Sequence, residues 1–274
     1  MLKIGWFSTG RDEAARQLLQ TVWDKIHSGG IKGEISFVFS NREPGEAEES
    51  DLFFELVHSY DIPLVYFSHR RFKTLSQTLP LERREPGEGE AKQSRENWRL
   101  KYDREIHRRI EGFTPDICVL AGYMLIVGEE LCRKYNMINL HPAPPGGPTG
   151  SWQEVIRKLL QGKAEKAGVM MHLVTPELDR GPAISYCTFS IRGEPFAQYW
   201  QKNDKDTLFR LIRQYELARE FPLIISTLQA LSRGEVGLRE DKVIDAQGKS
   251  IGGYDLTEKI DQSVKGKIAS LRLQ

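Results

Sequence analysis

The chain has 274 residues, of which 39% are hydrophobic and 28% charged, with 39 basic against 38 acidic side chains. That profile fits one large α/β domain or a domain with a modest appendage, and a net charge of +1 gives no support for a nucleic-acid or membrane-surface role. No run approaches the ~18 apolar residues of a membrane span, the short apolar start is no signal peptide, and Cys118, Cys132 and Cys187 lack disulfide or zinc spacing, so a cytoplasmic, metal-free protein is expected.

Residues 4–7 read as a buried strand that ends in a Ser-Thr-Gly turn. Asp12 then caps a helix whose Ala14, Leu18, Leu19, Val22 and Ile26 recur at helical spacing. A strand over 35–39, a helix over 51–60 and a strand over 64–67 follow. This β-α-β-α-β opening predicts a parallel sheet with helices on both faces and ligands at the carboxyl ends of its strands. Residues 80–100 are charged, Pro- and Gly-containing, and read as an exposed, mobile insertion. Next come a helix over 98–110, a central strand over 117–122, a short helix over 125–135 and a brief strand over 137–141 stopped by Pro142. After a Pro/Gly loop over 143–150, the pattern gives a helix over 152–161, strands over 167–174 and 183–191, and a long helix over 207–234 with a bend near Pro222. Residues 235–274 read as a hairpin turning at 245–248 and a polar tail.

The chemistry concentrates in Asn139-Leu140-His141-Pro142. Residues two apart on a strand project to the same side, so Asn139 and His141 stand together at a strand's carboxyl end. An Asn amide donates well to a developing oxyanion, and a His moves protons near neutral pH. A strand end whose polar side chains merely satisfy loop backbone is an equally open reading at this point. Asp179 lies 38 residues beyond His141, in an acidic loop after the next strand. A carboxylate there would orient the imidazole and favour its charged form. His172, in an apolar run, reads as a core histidine with a satisfied ring. His27, His58, His69 and His107 read as surface groups.

The runs AGYMLIVGEEL, INLHPAPPGGPTG and MHLVTPELDRGPAI, in that order, resemble the strand-and-loop motifs of the folate-dependent formyltransferase family, and in particular its purine-synthesis branch. The similarity covers about residues 1–255, including FSN at 39–41 and FTPDICVLAGYM at 113–124. The resemblance implies a three-layer, Rossmann-like formyltransferase fold with a mostly parallel central sheet flanked by helices. It implies a formyltransferase domain over 1–234, with 235–274 packed on or extending it. Asn139, His141 and Asp179 take the family's catalytic positions. N10-formyltetrahydrofolate is the implied co-substrate, its pterin ring set against Met124, Leu125, Ile126 and Val127 and against Val174, Thr175 and Glu177. The implied partners are a small amine and folate, with no nucleic acid and no membrane, and a homodimer is among the expectations.

Departures fall on the acceptor side. The family's glycine-rich phosphate loop is replaced by Thr9-Gly10-Arg11-Asp12-Glu13-Ala14, where two acids stand in the place of a phosphate. Either Asp12 and Glu13 are helix-start charges of an empty site, or Arg11 supplies the phosphate contact beside Gly10. Glu216 lies one residue off the family's acceptor-binding Glu, Leu125 replaces an Arg, and 143–148 differ. The acceptor is therefore glycinamide ribonucleotide bound differently or another amine such as an amino sugar. A formyltetrahydrofolate hydrolase and a non-catalytic folate binder are the remaining alternatives. A transfer-RNA formylating enzyme would need a C-terminal barrel, for which the ~40 residues after 234 are too few.

Overall fold

The computed structural model describes residues 1–77, 88–240 and 242–271, which divide into two compact units. Residues 1–26 and 33–137 form the first, and residues 27–32 and 138–274 the second.

The first unit runs β1 (Leu2–Phe7), α1 (Glu13–His27), β2 (Gly33–Ser40), α2 (Glu48–Ser59), β3 (Leu64–Tyr66), α3 (His69–Gln77), α4 (Glu88–Ile110), β4 (Ile117–Leu120) and α5 (Glu129–Lys134). Its strands lie in the order β4-β1-β2-β3, all parallel. β1 and β4 are buried along most of their length, which is why they read as continuous apolar runs and not as alternation. Chain order reverses at β1, so the loops after β1, β2 and β4 gather at one end, where such sheets take ligands. They are stitched there by Thr9: its N–H donates to the Gly122 carbonyl (3.2 Å), its hydroxyl to Asn41 Oδ1 (2.8 Å), and Met124 N–H donates back to that hydroxyl (3.0 Å).

The second unit runs β5 (Met137–His141), α6 (Trp152–Gln161), β6 (Lys166–Leu173), β7 (Ala183–Ser190), α7 (Ala197–Gln201), α8 (Lys205–Arg233), β8 (Val236–Arg239), β9 (Lys242–Asp245), β10 (Tyr254–Asp255) and α9 (Thr257–Leu271). Here β5, β6 and β7 are antiparallel neighbours and β10 adds to β7 in parallel. α6 begins with a capping box, Ser151 and Glu154 closing each other's backbone N–H groups. α8 is capped by Asp204 and ends at Gly234, whose φ of 70° lets the chain turn away.

Several elements differ from the sequence reading. Of the expected 80–100 insertion, residues 80–87 lie outside the described residues, and from Glu88 onward the chain is already in α4. The charged residues there carry helix propensity that composition alone conceals. The helix expected over 125–135 is only α5, and 122–128 is an irregular loop. Ala14 is exposed and Ala15 takes its place in the buried face of α1. The turn at 245–248 is present, with Asp245 accepting the Gln247 and Lys249 N–H groups, but a second hairpin, β8–β9, precedes it. The expected polar tail is α9, which buries Ile260, Val264 and Ile268 and packs on α8. Four-residue spacing puts these three on one stripe, although charged neighbours mask it in a composition window.

Because that stripe is core, Ile260→Ala is expected to cost about 2–4 kcal/mol. A thermal melt then falls by at least ~4 °C; an unchanged melting temperature would mean that α9 is a dispensable tail.

Candidate active site

The site builds from the β5–β6 pair. Asn139 is paired with His172 and His141 with Met170 across the antiparallel ladder. Cross-strand partners share a face, and so do residues two apart, so Asn139, His141 and His172 project to the same side. Their rings confirm it: the imidazoles of His141 and His172 lie edge to face with centroids 6.0 Å apart.

Asp179 reaches this face from the loop after β6. That loop folds back because Leu173 N–H donates to the Pro182 carbonyl (2.9 Å) and the Thr175 hydroxyl to the Glu177 carbonyl (3.0 Å). Gly181 is required inside it, since any Cβ there would collide with the Leu173 carbonyl oxygen. Asp179 itself sits at φ 56°, a left-handed conformation that Asp and Asn tolerate better than most residues.

The carboxylate is 10% exposed and lies between the two rings. Its Oδ2 is 3.7 Å from His141 Nδ1 and accepts the Gly150 N–H at 3.3 Å, and its Oδ1 is 3.7 Å from His172 Nε2. Tautomers follow from the other ring atoms. The Pro148 carbonyl, 2.9 Å from His141 Nε2, can only accept, so that nitrogen carries hydrogen. The Leu173 carbonyl does the same for His172 Nδ1, at 2.9 Å. A proton on His141 Nδ1 thus makes the ring a cation facing Asp179. Neutral His172 instead turns a bare Nε2 toward Asp179, and that atom is buried without a hydrogen-bond partner among the described residues. Its ring is not the fully satisfied core histidine that its apolar surroundings suggest. Spacing does carry a clue: it faces Asn139 in the register, and it belongs to the site. Asn139 is half-buried, and its amide makes no hydrogen bond among the described residues.

The other sequence-selected residues are placed as follows. In the first unit Met124 and Ile126 are exposed, at 53% and 48%, while Val127 is buried and Leu125 lies between these extremes. In the second unit Val174 and Thr175 are half-buried and Glu177 is exposed. Gly10 has φ 61° and packs its Cα against Phe53. Asp12 Oδ1 accepts the Ala15 N–H (3.0 Å) and Oδ2 the Arg11 Nε–H (3.1 Å), so the start of α1 is capped by its own acid. Glu216 is sealed from solvent on α8. Burial pushes its carboxyl up to about 9, Arg213 opposing and Glu220 adding, and Arg213 Nη1 lies 3.5 Å from its Oε2. That places it in the helix packing with no solvent face toward an acceptor. His69 and His107 are partly buried, bonded to Asn41 and Tyr135, and not free surface groups.

Burial lowers the His172 pKa, Leu173 and Asp179 raising it and His141 lowering it. A depressed folded-state pKa means stability present above the unfolded value and lost as pH falls through and below it. His172→Asn keeps an N–H for Leu173. It is expected to show a smaller drop in melting temperature between pH 7.5 and 5.5 than the parent, and equal drops would contradict a buried neutral ring.

Residues 13–194 match the family described as Formyl transferase. Phosphoribosylglycinamide formyltransferase of Schizosaccharomyces pombe is 30% identical over 175 residues, 61% of this chain and 73% of that protein. Its namesake in Escherichia coli is 36% identical over 88 residues, 31% of this chain and 41% of that protein. A formyltetrahydrofolate deformylase of Haemophilus influenzae is 25% identical over 166 residues, 58% of this chain and 46% of that protein. The matched stretches thus span less than half the length of two of these three relatives. Among solved structures, the phosphoribosylglycinamide formyltransferase of Coxiella burnetii superposes with a TM-score of 0.60 at 22% identity, covering 93% of this chain and 98% of that one, a likeness of fold. A match across more than half of the chain makes it a member of the formyl transferase family.

Proposed function

We propose that this enzyme passes the formyl group of N10-formyltetrahydrofolate directly to a small amine, with Asn139, His141 and Asp179 as its catalytic set. The observation that supports this most is the buried Asp179 carboxylate set 3.7 Å from His141, on the strand face that also carries an unbonded Asn139 amide. In the proposed reaction the amine nitrogen bonds to the formyl carbon and an electron pair moves to the formyl oxygen. Asn139 and protonated His141 hold that negative charge. On collapse the bond from carbon to N10 breaks, N10 takes up a proton and the amine gives one up. Asp179 stands opposite His141 Nδ1, where it orients the ring and relays protons through a water. The His141 Nε2–H is held by Pro148, so its use by a substrate requires the 143–150 loop to release it.

Met124 and Ile126 fit a donor ring: they are large, apolar and exposed. Leu125 and Val127, with Val174, Thr175 and Glu177, complete the proposed donor-binding set. The acceptor follows the purine-pathway relatives' printed name, phosphoribosylglycinamide, or is a different amine such as an amino sugar. Gly10, Arg11 and Glu216 are its proposed contacts, though Asp12 and the burial of Glu216 favour an acceptor bound otherwise. We also propose a cytoplasmic setting, a homodimer, and one catalytic body in which 235–274 extends the 1–234 domain. Among the described residues no helix is long and apolar enough to cross a membrane.

Hydrolysis of the donor is the second reading, favoured by the acid-capped start of α1 and by the deformylase relative. Purified protein with N10-formyltetrahydrofolate, with and without glycinamide ribonucleotide, separates the two. Amine-dependent transfer is expected. Asn139→Ala should lower kcat roughly 10²–10³-fold, and His141→Ala roughly 10²–10⁴-fold. Donor consumed without amine identifies a hydrolase, and no consumption with any amine tried contradicts both readings.

A further inference from the structure

Every polar group of Thr9 is engaged inside the first unit, where the residue is 2% exposed. Its N–H donates to the Gly122 carbonyl at 3.2 Å, and its carbonyl accepts the Ser50 hydroxyl at 3.1 Å. Its own hydroxyl donates to Asn41 Oδ1 at 2.8 Å and accepts the Met124 N–H at 3.0 Å. A hydroxyl has one hydrogen to give; Asn41 takes it, and the lone pairs are left for Met124. Donating in this way also makes the oxygen a better acceptor. Asn41 is fixed in turn, since it is buried and its carbonyl accepts the His69 N–H at 3.2 Å.

Thr9 stands where a ladder stops. The Ala121 N–H donates to the Phe7 carbonyl at 2.8 Å and the Thr9 N–H to Gly122, which carries the β1–β4 pairing beyond Phe7 and Leu120. Gly122 then turns the chain at φ 70°, and the next inward N–H, that of Met124, takes a side-chain oxygen in place of a backbone one. The loop has other anchors. The Tyr123 ring meets those of Phe7 and Phe39 at centroid distances of 5.7 and 6.2 Å, and Val127 is buried. Packing therefore keeps the loop on the sheet without the hydroxyl. What the hydroxyl adds is the direction of the backbone at Met124, between those anchors, where Met124 and Ile126 stand exposed.

We infer that Thr9 is a positioning residue for the formyl donor: by taking the Met124 N–H, its hydroxyl sets the 122–128 loop so that Met124 and Ile126 form one apolar platform. The donor half of this inference rests on the proposed folate role of Met124 to Val127. A loop ordered before the donor arrives does not have to be ordered by it, so the hydroxyl acts on donor affinity and not on the chemical step.

Two full-length variants test it. Thr9→Val removes the hydroxyl and keeps nearly the same shape, and Thr9→Ser keeps the hydroxyl and loses a methyl. Tetrahydrofolate is the binding probe, and hydrogen exchange of the 122–128 amides is read with and without it. In the parent, the Met124 amide should exchange at least ~10-fold more slowly than in an unstructured chain, and tetrahydrofolate should slow the loop amides further. Thr9→Val should lose the Met124 protection and raise the Kd for tetrahydrofolate about fivefold to tenfold, the net worth of one hydrogen bond. Its kcat at saturating donor should stay within about twofold of the parent. Thr9→Ser should restore both protection and affinity. A packing role predicts the reverse order, with the variant that loses a methyl the worse of the two, and that order overturns the inference. An unprotected Met124 amide in the parent overturns the tether without any variant having to fold. Tetrahydrofolate that binds the parent without slowing the 122–128 amides, or a parental Kd in Thr9→Val, overturns the donor role. If the parent fails to bind tetrahydrofolate, the folate reading fails, while Met124 exchange still decides whether Thr9 holds the loop.

Discussion

A carboxylate that is nine-tenths buried and lies 3.7 Å from each of two imidazole nitrogens is the constraint around which the catalytic face is organised. Removing a carboxylate from water is costly unless charge or hydrogen bonds compensate. Here the Gly150 N–H and a proton on His141 Nδ1 are the compensation available, while the bare His172 Nε2 offers none. The geometry leaves little freedom to the surrounding chain. Asp179 must adopt a left-handed φ, Gly181 must lack a side chain, and the loop must close on Leu173. Each ring is oriented from behind by a backbone carbonyl, Pro148 for His141 and Leu173 for His172. The two histidines therefore present different faces to one acid, one able to be a cation and the other a bare acceptor.

Much of this was legible in the sequence. The spacing Asn139-x-His141 at a strand end gives a shared face by the period of a strand alone. The strand-loop order of the motifs gives Asp179 its place only through resemblance, because a loop's path is not written in its composition. His172 escaped because an apolar run marks burial but not what a buried ring faces; only the register that pairs it with Asn139 supplies that. Glu216 shows the converse: a helix position read from sequence does not say which way the side chain turns, and this one is buried in the helix packing. Ile260, Val264 and Ile268 were hidden in a segment whose average is polar.

The two ends of the proposed reaction are supported unevenly. The loop that carries Met124 and Ile126 is tied to Thr9, whose N–H donates to the Gly122 carbonyl and whose hydroxyl accepts the Met124 N–H. The start of α1 differs: Asp12 satisfies the Ala15 N–H and engages Arg11, and Glu13 adds negative charge in the first turn. An anion arriving there would meet groups already satisfied and a field of the wrong sign. Fold and family fix the chemistry of the formyl carbon more firmly than the identity of the amine.

The central claim is that His141 and Asp179 act as one unit, and a double-mutant cycle on kcat/KM tests it most directly. Asn tolerates the left-handed backbone of position 179, so Asp179→Asn removes the charge with little strain. If the two residues work together, the double variant His141→Ala/Asp179→Asn loses little more activity than His141→Ala alone, a coupling of at least ~1 kcal/mol. Losses that simply add would show that the 3.7 Å approach is incidental and would contradict the account.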